Sequence, residues 1–273
     1  MRALRGLLVW VTALFIGVSG ASAGGRVPEM ERALDLARVV EVLRDEGLVY
    51  GNGLKTDMLS GQAGAYYDRR ISDIYDPETM LDTLGSRIGA GLTKEQIDQS
   101  IAFFTSDRGK RIITLELDAR VAITEPAVDE IAAQALSQAE EAQSSRVAMV
   151  DRFIDINDLT ERNVSGALGA NYRFYRGLVD GGSHRMGEGE ILDLVWSEED
   201  AIRADTDGWL RRFLFMAYSP LSEQDMQAYL EFSESETGQA LNAALFDGFD
   251  RMYHTIYYAL GRAVADELQA SDL

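Results

Sequence analysis

The sequence predicts an all-α protein, a helical bundle built from two tandem, duplicated helical repeats. Apolar residues recur at helical spacing along most of the chain, and only 4 prolines interrupt its 273 residues. Strand signals are weak, because apolar residues seldom alternate with polar ones and no Asn-Gly or Asp-Gly turn joins two β-branched runs. A stretch of the first half also recurs in the second half, which indicates an internal repeat.

The N-terminus predicts a cleavable secretory signal peptide at residues 1–23. Two arginines precede an apolar run at residues 7–18, which is too short for a permanent membrane anchor. Residues 21–23 (Ala-Ser-Ala) supply the small side chains that signal peptidase requires, so we expect cleavage before Gly24. An uncleaved N-terminal anchor is the alternative. The predicted location is therefore periplasmic or secreted.

The charge balance argues against several classes of partner. With 45 acidic and 26 basic residues, the formal net charge is -19, and such a surface repels nucleic acids and anionic lipids. Solubility explains this acidity, and a cationic partner is the alternative. The chain has no Cys, so its stability cannot depend on disulfides. No later apolar stretch approaches membrane length, and the expected partner is an unidentified envelope protein or peptide.

The first predicted helix begins near Met30 and continues its apolar face through Leu43. We expect it to be broken at Gly47 and at residues 51–53 (Gly-Asn-Gly), because glycine destabilises a helix interior.

Two N-terminal capping signals mark the helices that follow. Residues 76–78 (Asp-Pro-Glu) combine an N-cap, a proline in the first turn and an acid that faces the positive end of the helix. Gly89 and Gly91 are expected to end this helix. Thr93 and Gln96 then form a capping box for the next one.

Ser106 is expected to cap a further helix. Pro126 either kinks that helix or begins a new one that is capped by Thr124. The polar residues 137–145 form a linker, which is helical or loose.

An internal similarity divides the chain into two predicted repeats. Residues 92–109 (LTKEQIDQSIAFFTSDRG) match residues 221–238 (LSEQDMQAYLEFSESETG) without a gap. We therefore predict a first repeat at 24–140 and a second at 146–273. The second repeat is expected to carry a mobile, glycine-rich insertion around residues 181–190. The matched positions keep their character: Thr93 and Ser222, Ile97 and Met226, Phe103 and Phe232, Ser106 and Ser235, Gly109 and Gly238, and upstream Asp76 and Asp205.

The two repeats share an aromatic, a serine and a glycine at fixed spacing, at residues 103–109 (FFTSDRG) and 232–238 (FSESETG). With the polar cap before them, these residues resemble the bacterial exported family described as domain of unknown function 2059. The second copy departs from the pattern, because Ser233 replaces the second aromatic. The resemblance implies an all-helical bundle in the cell envelope. It brings no catalytic residues, because the family has no established activity.

Histidine, serine and calcium-loop motifs give no convincing site. The residues three and four positions after His254 are Tyr257 and Tyr258, not His or carboxylate side chains, which argues against zinc. Ser183 and His184 are adjacent in a glycine-rich loop, which is a poor setting for a catalytic triad. Residues 205–208 (Asp-Thr-Asp-Gly) resemble the start of a calcium loop, but their register with Asp76 predicts a helix start instead.

Acidic and aromatic clusters also have structural explanations. Residues 198–200 (Glu-Glu-Asp) could perform acid–base chemistry, but a first helical turn capped by Ser197 explains them better. Aromatic side chains cluster on the predicted helices, where core packing is the usual role and a peptide or ligand groove is the alternative. These residues are Tyr66, Tyr67, Tyr172, Phe174, Tyr175, Tyr253, Tyr257 and Tyr258.

The sequence thus assigns no catalytic, cofactor-binding or metal-ligating residue and no cofactor. A non-catalytic binding or interaction module of the cell envelope is the favoured function, because catalytic motifs are missing and the resembled family has no known chemistry. An envelope hydrolase that uses carboxylate or Ser chemistry is the alternative. It would need a cleft in which an acid, a base and substrate converge.

The export signal predicts one specific mature N-terminus. If the peptidase cleaves after Ala23, the intact mass of the protein from periplasm or medium corresponds to a chain that begins at Gly24. A product that keeps Met1 would contradict this prediction. The anchor alternative instead predicts recovery with the membrane fraction.

Overall fold

The computed structural model of the chain describes residues 25–61 and 63–271, so the predicted signal peptide and its cleavage site lie outside the described residues. The described residues form thirteen α-helices and no β-strand, which confirms the all-α prediction. The helices are α1 (Val27–Ala33), α2 (Leu36–Met58), α3 (Ala65–Ile74), α4 (Pro77–Gly91), α5 (Lys94–Phe104), α6 (Asp107–Ala122), α7 (Pro126–Glu141), α8 (Ser145–Asn157), α9 (Leu159–Asp180), α10 (Glu188–Trp196), α11 (Glu199–Tyr218), α12 (Glu223–Glu234) and α13 (Glu236–Ser271).

One continuous hydrophobic core joins the two halves of the bundle. Leu84 and Ile88 of α4 are fully buried in it, and so is Leu260 of α13. Helix α13 has 36 residues, which corresponds to a length of about 54 Å. It packs along α9 of the second half and along α4 of the first half. This long helix therefore connects both halves to the same core.

Two glycines allow α9 and α13 to cross with their backbones in contact. A Cβ added to Gly177 of α9 would lie 3.0 Å from the Cα of Gly261, and one added to Gly261 would overlap the carbonyl oxygen of Phe174. Small residues are required at such a crossing because a side chain would separate the two helices. The crossing holds the second half of α13 close to α9.

The predicted N-caps of the central helices are confirmed. Each capping side chain accepts a hydrogen bond from a backbone amide two or three residues further on, which satisfies a donor that the helix itself leaves unpaired. The capping box at Thr93 and Gln96 has both of its hydrogen bonds, at 3.2 and 2.9 Å. The other caps are Asp76 to Thr79 at 2.8 Å, Ser106 to Gly109 at 3.1 Å, Ser222 to Asp225 at 3.0 Å and Ser235 to Gly238 at 3.0 Å.

The expected break of the first helix at Gly47 and residues 51–53 is wrong. The chain bends earlier, at Asp35, whose left-handed backbone (φ 50°) separates α1 from α2, and α2 then runs without interruption to Met58. Tertiary packing explains the difference, because Gly47 and Gly51 lie where α2 meets Tyr75 and Ile71. A glycine in a helix interior here provides room for a neighbouring side chain.

The expected helix start at residues 205–208 is also wrong, as is the cap at Ser197. Helix α11 already begins at Glu199, so Asp205 lies inside it and is not an N-cap like Asp76. Ser197 ends α10, and its hydroxyl donates to the carbonyl oxygen of Leu194 at 2.7 Å. Residues 199 and 200 do lie in a first turn, but the preceding Glu198 makes no capping hydrogen bond.

The connections before α7 and before α10 have the following structure. Pro126 begins a new helix, but the N-cap is Glu125, and Thr124 instead donates to the Val121 carbonyl oxygen. The glycine-rich residues 181–187 connect α9 to α10, and their interpretation as an insertion of the second repeat stays a prediction. Gln269 of α13 donates to the carbonyl oxygen of Gly181 at 2.7 Å, which ties this loop to the bundle.

Several helix starts follow the repeat register. Helices α5 and α12 begin at Lys94 and Glu223, and α6 and α13 begin at Asp107 and Glu236, the same offset in both pairs. The half-buried side chains of Phe103 and Phe232 stack on each other, with ring centroids 4.2 Å apart. These correspondences support the predicted duplication and its boundaries, which stay predictions.

The glycines that follow the caps generate a prediction about stability. A Cβ at Gly109 would overlap the Phe103 carbonyl oxygen, and a Cβ at Gly238 would overlap that of Phe232. Gly109→Ala and Gly238→Ala should therefore each lower the free energy of unfolding by about 1–3 kcal/mol. Urea denaturation followed by circular dichroism measures this loss.

Gly53→Ala is the matched control, because Gly53 lies within α2 and faces open space. Removing a glycine from a helix interior there should stabilise the protein by about 0.5–1 kcal/mol. Equal effects at all three positions would show that the close backbone contacts have no energetic weight.

Candidate functional site

A cavity of about 270 Å³ lies between the two halves of the bundle. Its walls come from α2, α5 and α6 of the first half and from α8, α9, α11, α12 and α13 of the second. Most of the lining is apolar, with Leu43 and Phe104 on one side of the chain's midpoint and Phe153, Leu214 and Leu241 on the other. The cavity therefore exists only where the two halves meet.

Glu116 of α6 is the carboxyl group of this cavity. It is half-buried, and its Oε1 accepts hydrogen bonds from the hydroxyls of Tyr218 at 2.7 Å and Tyr229 at 3.2 Å. Burial raises the pKa of Glu116 to about 7, although the two tyrosine hydrogen bonds act in the opposite direction. Near neutral pH the group can therefore exist with or without its proton.

The two tyrosines remain hydrogen-bond donors. Burial, and then the neighbouring Glu116 carboxylate, raise the pKa values of Tyr218 and Tyr229 well above the ordinary phenol value. Both hydroxyls are directed at the same oxygen of Glu116, Oε1. The other oxygen, Oε2, accepts no hydrogen bond from the described part of the chain, and it keeps some access to solvent. It is thus the accessible acceptor at the cavity wall.

Arg120 lies one helical turn after Glu116 and also borders the cavity, but its charge is already balanced. Its Nε and Nη2 donate to the two carboxylate oxygens of Glu46 at 2.9 and 2.7 Å. The guanidinium carbon also lies 5.6 Å from the ring centroid of Trp209. This bidentate pair joins α6 to α2 and fixes the Arg120 side chain.

Several aromatic rings line the cavity together with Glu116. Phe153 contacts Tyr218 and Tyr229, with ring centroids 5.5 and 4.9 Å apart. Phe104 and Phe232 continue the cluster, with centroids 5.3 Å apart in an edge-to-face arrangement. All five rings line the cavity, so a bound molecule would contact aromatic carbon and one carboxyl group.

The sequence did not single out Glu116, Tyr218 or Tyr229. A weak signal exists, because the stripe that begins with the buried Ile112 continues through Glu116 and Arg120 at intervals of four residues. Two charged residues on an otherwise inward-facing stripe suggest a polar group inside the bundle. The resemblance phrase contributes Phe104, Phe232 and Ser233 to the lining.

The histidines considered from sequence lie elsewhere. His254 of α13 packs against Gly169 of α9, and burial, with Arg173 and Arg251 nearby, lowers its pKa. His184 is in the exposed loop before α10, where its Nδ1 lies 3.0 Å from the hydroxyl of Ser183. Neither histidine borders the cavity.

The aromatic residues noted from sequence are mostly core residues, as the packing interpretation predicts. Tyr67, Phe174, Tyr175, Tyr253 and Tyr257 are buried. Tyr66 is the clear exception, with 63% of its surface exposed. None of the eight residues lines the cavity, which is built from other aromatics.

Other kinds of site have little support in the described residues. No three His, Cys, Asp or Glu side chains converge there as metal ligands would. Across residues 25–61 and 63–271, no helix has the combined length and hydropathy needed to cross a bilayer.

Comparison with known proteins adds no family or fold relative, since no protein-family model, curated protein or solved structure matches the chain. The resemblance to the domain of unknown function 2059 family therefore stays a prediction.

The raised pKa of Glu116 predicts how stability changes with pH. The folded chain keeps a proton that an unfolded chain, with an ordinary pKa of 4.5, has already released. The folded state therefore loses stability relative to the unfolded state as pH rises from about 4.5 to about 7.

Glu116→Gln removes this titration and retains an amide oxygen for the tyrosines. Between pH 5 and pH 8, the free energy of unfolding of the wild type should fall by about 1–3 kcal/mol relative to the variant. Urea titrations of both proteins at both pH values measure the difference. A gap that is constant with pH would contradict the assignment.

Proposed function

We propose that this protein is exported to the cell envelope and acts there as a non-catalytic binding module whose cavity takes a small, largely apolar molecule. The observation that carries this proposal is the cavity between the two halves, with its apolar walls and one accessible carboxyl oxygen. Ligand sites in proteins commonly combine an apolar lining with a few convergent polar groups.

The size of the cavity fits this function. At about 270 Å³ it lies just below the range of roughly 300–1,000 Å³ that is usual for small-molecule pockets. Helical bundles build such pockets from facing helices, as this one does with α6, α11 and α12. A small apolar body is therefore a better fit than an extended peptide.

Binding is favoured over hydrolysis because the cavity lacks a second catalytic group. Within the described residues, Glu116 is the only carboxylate on the cavity wall, and no histidine lines it. Hydrolysis by paired carboxylates needs an acid and a base on either side of the scissile bond. Ser233 also borders the cavity but has no general base beside it.

Export and internal duplication belong to the same proposal. The predicted signal peptide supports an extracytoplasmic location. The equivalent caps at Ser106 and Ser235, and the equal offset of the helices that follow them, support an origin by duplication. In this proposal the ligand occupies the cavity at the interface between two related halves.

Dye binding tests the cavity directly. The neutral dye N-phenyl-1-naphthylamine, which fluoresces in apolar surroundings, should bind wild-type protein saturably at one site. Ser233→Phe should weaken binding by about tenfold or more, which corresponds to 1.4 kcal/mol. The substitution fills space at the cavity wall, and Phe104 occupies the matching place in the first half. Fluorescence titration measures the dissociation constant.

Two further variants make the test specific. Leu214→Trp fills the same cavity from α11 and guards against a folding defect that is peculiar to Ser233→Phe. A Leu192→Ala and Trp196→Ala double variant removes exposed apolar surface from α10 and should leave dye binding unchanged. The proposal fails if the α10 double variant weakens dye binding while both filling substitutions leave the dissociation constant of the dye unchanged.

A further inference from the structure

One oxygen of Glu116 is held by the protein and the other is left for a ligand. Both tyrosine hydroxyls donate to Oε1, while Oε2 accepts nothing from the described chain and remains accessible. Since each phenol O–H already donates a hydrogen bond to Oε1, the site offers a ligand chiefly a hydrogen-bond acceptor. A molecule that brings its own donors is therefore required.

The surroundings of this oxygen also favour positive charge. The faces of aromatic rings carry negative potential, and Tyr218, Tyr229, Phe153, Phe104 and Phe232 all line the cavity. A carboxylate among aromatic rings is a setting in which organic cations are bound. An alkyl or aromatic body on the cation would fill the apolar remainder of the cavity.

Few other charges act on the site. The charged or titratable groups that contact Glu116 or border the cavity with it are Tyr218 of α11, Tyr229 of α12 and Arg120 of α6, which is paired with Glu46 of α2. Because Glu46 holds Arg120 through both of its oxygens, that guanidinium does not attract anions strongly. The acidic balance of the whole chain, with net charge -19, further disfavours anionic ligands.

We infer that the cavity binds an ammonium ion with a compact apolar body, whose N–H groups donate to Oε2 of Glu116 while aromatic rings contact its charge. This inference rests on the proposed binding function and specifies the chemical class of the ligand. It assigns Glu116 as the specificity-determining group.

Three probes of equal chain length separate charge from apolar contact. Octylamine, which is protonated at pH 8, is compared with neutral 1-octanol and with anionic octanoate by displacement of N-phenyl-1-naphthylamine. At pH 8 octylamine should bind about tenfold more tightly than 1-octanol, and octanoate should bind most weakly. At pH 5, where Glu116 is protonated, the preference for the amine should largely disappear.

Variants then locate the preference. Glu116→Gln should abolish the preference at pH 8, so that octylamine binds no more tightly than 1-octanol. Glu130→Gln removes the same charge from the exposed face of α7 and should keep the full preference. If Glu116→Gln does not fold, wild type and Asp250→Asn are compared at pH 8 and pH 5, because the pKa of Asp250 is also raised, to about 6. A preference that is lost at pH 5 in both proteins supports Glu116, and one that no longer depends on pH in Asp250→Asn contradicts it.

The outcomes distinguish this inference from the proposed function. Equal binding of octylamine and 1-octanol, or a preference that survives in Glu116→Gln, overturns the ammonium assignment while the apolar binding function stands. Failure of the dye and of all three probes to bind overturns both.

Discussion

Helix α13 lies directly on the backbone of α9, because Gly177 and Gly261 bring no side chain to their crossing. The same helix packs on α4, so this contact sets the position of the first half relative to the second. The N-terminal part of α13 then forms a wall of the cavity through Leu241 and Leu245. The width of the cavity thus depends on a glycine contact several helical turns away.

Local interactions account for the parts of the fold that could be predicted. A cap at Asp76, Thr93 or Ser106 joins atoms that are two or three residues apart, so the sequence contains the whole interaction. The break expected at Gly47 was wrong because its outcome depends on Tyr75, a residue of another segment. The helix start expected at Asp205 was wrong because α11 had already begun six positions earlier.

The candidate site could not be predicted from the sequence for a related reason. Glu116 meets Tyr218 and Tyr229 only after the chain has folded, and the three residues lie on three different helices. Histidines and neighbouring acids can be recognised as candidates from their proximity along the chain. A lone acid in an apolar stripe can be recognised only in the folded structure. Its carboxyl group needs hydrogen-bond partners, and sequence spacing does not reveal them.

The two halves of the bundle contribute different side chains to the cavity. This is possible because both halves belong to one polypeptide chain. In the repeat register, the position of Glu116 corresponds to Leu245, which also borders the cavity. A pocket shared by two identical subunits would carry any carboxyl group twice. One chain can place an acid in the first half and a leucine in the second, so a molecule that bound there would have one preferred orientation.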